Sequence, residues 1–368
     1  MRVQAVIEGS GTASTIASSR RIAKDLDYLA ARLHGRRSRM AENERLDGLC
    51  HIQNLQEYCL SIFPESEFKG ILDFQRRLVD ELIGEISGLS AYLSGPGADL
   101  IDWMLIRFQV ENLKVLIRAH LRKIPIEETA GYLMPLPKEL ALDNRGLTAA
   151  ASLDDFIRLV PKGVFRENLK KAFEMYRDSF QPFFFEAVLE RCYLQELVAR
   201  MEKLSGEDRE IIQPMVSQEA DIFHLTLVAR GKFHYSLTPE VLWPLHVAGT
   251  RIPRALFAAM LNDADLSVSA GRVAQRVLDT ALFKQDNESM AASASTLEAL
   301  AWRRFFHLAN LAFRQSHMGL GAIIGYVGLR RVEVANLITI SEGIRNDMAA
   351  EKIRGRLIPR ILFSEEVT

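Results

Sequence analysis

The pair Asn112-Leu113 recurs at Asn336-Leu337, and midway between them stands His224-Leu225, so the same register repeats at intervals of 112 residues. Other positions share the interval. Glu186, Ala187, Arg191 and Tyr193 correspond to Glu298, Ala299, Arg303 and Phe305, Ile211-Ile212 to Ile323-Ile324, and Arg118 to Arg230. A long period of this kind implies a chain made of three similar lobes, not one domain with one site. The expected units are helical lobes over 26–146, 147–258 and 259–368, after a poorly ordered lead-in over 1–25 that is rich in Ser, Gly and Thr.

The local pattern is helical. From Ile101 the apolar positions Met104, Leu105, Phe108, Val115, Leu116 and Ala119 follow three-and-four spacing, with Arg107, Lys114 and Arg118 between them. Leu189, Leu194, Leu197 and Met201 mark a second long helix, and a third runs from about Leu297 through Phe306 and Phe313. Breaks fall at Ser94-Gly95-Pro96-Gly97, Met134-Pro135-Leu136-Pro137, Val160-Pro161-Lys162-Gly163 and Ala248-Gly249. Sustained alternation of period two is absent, so the expected class is all-α.

The repeated polar residue sits on an apolar stripe in each unit. Asn112 falls among Leu105, Phe108, Leu116 and Ala119; Asn336 among Leu329, Val332, Ile340 and Ile344; His224 among Ala220, Leu227 and Val228. A polar group on such a face finds a hydrogen-bond partner or costs roughly 1–3 kcal/mol. The expected consequence is a fixed register between packed helices, made once per unit. Histidine can also donate one bond and accept another, so His224 keeps the pattern while adding a titratable group.

Chemistry is conspicuous by what is missing. No GxxxxGK[ST] loop, HExxH, CxxC or EF-hand pattern occurs, and Gly9-Ser10-Gly11-Thr12 lacks a strand-turn-helix setting. Neither cofactor nor metal is expected, and no catalytic residue. The three cysteines, Cys50, Cys59 and Cys192, read as reduced thiols. Forty-six basic and forty-seven acidic residues leave a net charge of −1, which provides no global attraction to nucleic acid or to an anionic membrane. The most apolar window, Leu320–Leu329, is about half the ~20 residues that span a bilayer. The basic run Arg32, His34, Arg36, Arg37, Arg39 is offset by Glu42, Glu44 and Asp47 and reads as a solvated helix face. The phenylalanines Phe180, Phe183, Phe184 and Phe185 read as core. His307 and His317, ten residues apart, read as isolated histidines and not as metal ligands.

One stretch carries a resemblance. Glu333-Val334-Ala335-Asn336-Leu337, followed by Ile340, Gly343-Ile344-Arg345 and Glu351-Lys352-Ile353-Arg354, resembles the C-terminal signature of the C subunits of archaeal and bacterial A/V-type rotary ATPases, whose eukaryotic vacuolar counterpart is the d subunit. Tyr28-Leu29-Ala30-Ala31-Arg32, Glu111-Asn112-Leu113 with Arg118, Arg191-Cys192-Tyr193-Leu194, Asp221 to Leu225 with Arg230, and Gly325-Tyr326 with Leu329-Arg330 extend it from about residue 26 to the C-terminus. The resemblance implies a funnel-like body of three lobes with pseudo-three-fold symmetry. It also implies a non-catalytic rotor part, peripheral on the cytoplasmic side of the membrane. Such a part seats the central-stalk D and F subunits on the proteolipid ring and passes torque for proton or sodium transport. Tyr28, Arg32, Glu111, Asn112, Arg118, Arg191, Asp221, His224, Arg230, Glu333, Asn336 and Arg345 are the signature-like positions, candidates for fold or for contact. The competing readings are a free-standing helical-repeat scaffold, in which units stack linearly, and an all-helical enzyme with an interlobe pocket.

Overall fold

A computed structural model describes residues 28–175, 182–278, 293–316 and 319–359. The lead-in, Phe180 and His317 lie outside them. The described residues are helical and contain no strand, so the class is all-α.

Among the described residues, six helices of 20 or more residues form the frame: α1 Ile71–Ser90, α2 Gly95–Arg122, α3 Pro182–Glu202, α4 Gly206–Thr226, α5 Ala294–Gln315 and α6 Leu320–Arg345. Each packs on the next in chain order, and α6 packs back on α1, so the six close into a cycle. The Ser94-Gly95-Pro96-Gly97 break is the start of α2: Ser94 is the N-cap and Pro96 lies in the first turn, where its missing N–H is no loss. Lys123 ends the helix in the left-handed conformation. The junction of α5 and α6 is close because Gly325 has no side chain. A Cβ there would lie 2.6 Å from the carbonyl oxygen of Ala309 and 2.5 Å from the amide nitrogen of Phe313. The apolar window Leu320–Leu329 is thus a packing face, and no helix among the described residues is long and apolar enough to cross a membrane.

The three repeated polar residues are buried, but they do not set helix against helix. Asn112 Nδ2 donates to the carbonyl of Met134 (2.9 Å), and its Oδ1 accepts from the Met134 amide (2.8 Å). Asn336 does the same with Ile358, at 2.7 and 2.9 Å. His224 Nε2 accepts from the amide of Val247 at 2.9 Å. Each therefore pins a non-helical segment 22 or 23 residues downstream onto its own helix. The expected helix-to-helix register is corrected on this point: a side-chain amide matches one backbone amide in both directions, and only irregular backbone has both groups free. The extra residue in the middle unit coincides with a π turn at Leu227–Lys232, the way a helix takes up an insertion.

The basic run is also more engaged than a solvated face. Arg37 is largely covered, donates to Asn310 Oδ1 at 2.9 Å and lies 4.7 Å over the Phe313 ring, joining residues 28–37 to α5. Phe184 and Phe185 are core, whereas Phe183 is half-buried against Tyr235.

Candidate partner-binding site

Five residues before each repeated polar position stand Arg107, Glu219 and Arg331, again 112 apart, and the structure brings them into contact. Arg107 Nη1 lies 2.8 Å from Glu219 Oε1. Arg331 grips both oxygens of the same carboxylate, at 2.8 and 2.9 Å, the two-pronged geometry that suits a guanidinium. Residues related by the chain's own period meet where α2, α4 and α6 converge.

The cluster extends toward the later turns of α2. Glu190 of α3 accepts from Arg107 at 3.1 Å and pairs with Lys114, which also lies 3.0 Å from Glu111. Three cations face three anions, so the buried charge is balanced. Burial alone pushes the Glu190 carboxyl up, but Lys114 and Arg107 outweigh it and hold the pKa at about 2. Burial likewise acts against ionised Glu219, and Arg331 with Arg107 reverses it, leaving that carboxyl below its ordinary range.

Exposure changes along the same helix face. Seven residues before the charged layer, Leu100, Ile212 and Ile324 are all inaccessible to solvent. Within it Glu219 is 4% exposed. Eleven residues beyond it, Arg118, Arg230 and Glu342 are 44%, 52% and 35% exposed. Between these levels a recess of about 240 Å³ opens among α2, α3, α4 and α5, lined by Arg107, Lys114, Phe223, Thr226, Arg230 and Trp302 among others.

At the exposed level three contacts tie neighbouring helix pairs. Arg118 holds Glu186 at 2.8 and 2.9 Å, and Arg230 holds Glu298 at 2.6 Å, with the same separation of 68 residues. The third joins the end of the chain to its beginning: Gln75 of α1 donates to Glu342 of α6 at 2.8 Å and to Ser341 at 3.1 Å.

The other candidate positions fall in several places. Glu111 belongs to the charged cluster. Buried Asp221 accepts from the amides of Arg251 (3.2 Å) and Ile252 (3.1 Å). Buried Glu333 accepts from the Ala41 amide and from Arg330, each at 2.5 Å. Arg191 is half-buried beside Cys192, whose thiol burial pushes up to about 11 against the opposing pull of Arg191. Arg345 pairs with Glu342 at 2.6 Å. Tyr28 is exposed, and Arg32 reaches the Tyr92 hydroxyl at 3.4 Å, away from the cluster. Arg107, Lys114, Glu190, Glu219 and Arg331 were not candidates. A step of five residues back from each Asn-Leu or His-Leu pair reveals the Arg-Glu-Arg alternation.

Among the described residues no group of three or more His, Cys, Asp or Glu side chains is placed to hold a metal ion. The arrangement is a charge-balanced cluster beside a recess of about 240 Å³.

The model of the ATP synthase (C/AC39) subunit family matches residues 29–356. The C subunit of the A-type ATP synthase of Methanocaldococcus jannaschii is 22% identical over 347 residues, covering 90% of this chain and 86% of its own length. Those of Methanosphaera stadtmanae and Methanobrevibacter smithii are 20% and 22% identical, covering 86% and 91% of this chain and 83% and 88% of theirs. The chain belongs to the ATP synthase (C/AC39) subunit family.

Proposed function

We propose that this chain is the non-catalytic coupling subunit of a V/A-type rotary ATPase. In this reading three helical lobes surround a pseudo-three-fold axis through Arg107, Glu219 and Arg331. The exposed level beyond that layer, with the recess beside it, meets the end of the central axle, made of the D and F subunits, and the closed end faces the proteolipid ring. The protein is peripheral, on the cytoplasmic side, and passes torque between the two for proton or sodium transport.

The observation that carries the reading is the meeting of positions 107, 219 and 331 with a recess opening on one side of them. A shaft must seat on the rotation axis, since an off-axis seat would sweep a circle at every turn. Torque also demands stiffness, and a cycle of helices tied by three side-chain contacts resists shear better than an open stack. The same closure counts against the scaffold alternative, whose units would touch only sequential neighbours.

Light scattering across size-exclusion peaks tests the role, using this chain co-expressed with the D and F subunits of its own genome. A 1:1:1 complex that dissociates as salt rises is the expected result, because charged contacts are screened. A chain that elutes alone at every salt concentration contradicts it.

A further inference from the structure

The middle unit differs from its neighbours in one atom-level respect. The ties of Asn112 and Asn336 use side-chain amides, which do not titrate, whereas Val247 is held by an imidazole nitrogen. To accept the Val247 N–H, His224 Nε2 must be unprotonated, which places the ring proton on Nδ1. That nitrogen faces Asp221 Oδ1 at 3.6 Å, an attraction that favours this tautomer.

We propose that His224 makes the tie of the middle unit an acid-released clasp, present while the ring is neutral and lost when it takes up a proton. A proton arriving at Nε2 gives an imidazolium that donates from both nitrogens, so the acceptor for Val247 disappears. The N–H of Val247 would then point at a like-charged donor, and residues 246–252 would lose one of the bonds that hold them to α4.

The surrounding groups are few. On α4 itself Asp221 favours the charged ring, but its two oxygens already accept the amides of Arg251 and Ile252. From the downstream segment, His246 stacks on His224 with ring centres 4.8 Å apart and planes within 9°, which opposes a second positive charge. Arg251 points away to the carbonyl of Arg276, and Arg254, over the Trp243 ring, opposes protonation of His246. From α3, Gln195 is neutral and bonds Ala248, while Glu202 lies against Gly249. His246 has its own titration, lowered by burial, but its Nε2 bonds the Ile252 carbonyl and can do so as a donor when charged.

This inference stands apart from the rotor reading and uses the free chain. Backbone amide exchange and imidazole nitrogen shifts are followed by NMR from about pH 7.5 downward, until the His224 nitrogens report the charged ring. The Met134 and Ile358 amides, which donate to the two asparagines, serve as internal references. The expected result is a fall of about five-fold or more in the protection of Val247 relative to both references, as the His224 nitrogens move to the charged pattern. In His224→Asn, which installs the residue of the other two units, that fall is absent; in His246→Phe it remains. The clasp is overturned by a His224 ring that stays neutral while the fall occurs, by equal loss at all three amides, or by a fall that persists in His224→Asn. Wild-type data alone decide the first two, so a variant that failed to fold would not shield the proposal.

Discussion

The buried layer at positions 107, 219 and 331 and the exposed level at 118, 230 and 342 arise from α2, from α4 with the π turn that continues it, and from α6, at the same 112-residue period. Their energetics are opposite. In the layer one carboxylate, 4% exposed, is shared by two largely covered arginines, with little solvent to take its place. At the exposed level each pair has solvent as an alternative partner, so its geometry matters more than its energy. Repetition supplies the positions, and distance from solvent decides what each is worth.

The sharpest way to break this contrast is Glu219→Ala, which leaves Arg107 and Arg331 buried without their shared anion. A loss of about 3–5 kcal/mol is expected from urea unfolding, because an uncompensated buried charge is the costly outcome. Arg230→Ala is the matched control. A comparable cost for both would refute the distinction between the levels.

Acid provides the next largest effect. Glu190 is held at about 2 against an ordinary 4.5, so its contribution is complete above 4.5 and disappears as pH falls toward 2. Glu219 is shifted in the same direction and acts with it. Urea midpoints measured from neutral pH down to about pH 3 should fall steeply below 4.5. Glu190→Gln should be less stable at neutral pH and show a flatter profile. An unchanged slope would remove the paired carboxylates from the account.

A smaller effect is expected at the backbone ties. Asn336→Ala removes two bonds to Ile358 and should cost about 1–3 kcal/mol, and Asn112→Ala a similar amount. The exposed pairs come last. Arg118→Ala and Arg230→Ala should each cost under about 1 kcal/mol, and less still at high salt.

What could be read from the chain divides along the same line. Helices, burial of the Asn and His positions, and the register relating Arg118 to Arg230 follow from spacing, because helix faces and repeats leave periodic marks. The partners of Asn112 and Asn336 lie 22 residues away in irregular segments whose course no periodicity encodes. The charged layer was hidden for a different reason. Arg107, Glu219 and Arg331 look like ordinary surface charges one helix at a time, and their meaning appears only when the three helices that carry them pack together. The Gln75–Glu342 closure was equally hidden, since the third contact replaces an arginine–glutamate pair with a different chemistry.

The most direct test of the central claim sets the two ends of the axis against each other in stalk binding. Thr226 lines the recess, and Lys203, 61% exposed, lies near the opposite end beside Asp99. Thr226→Trp and Lys203→Trp would each be co-expressed with the D and F subunits and assayed for co-elution, with thermal unfolding confirming that both fold. The account predicts that Thr226→Trp loses the stalk while Lys203→Trp keeps it. Retention by Thr226→Trp together with loss by Lys203→Trp would place the axle at the other end and contradict the account.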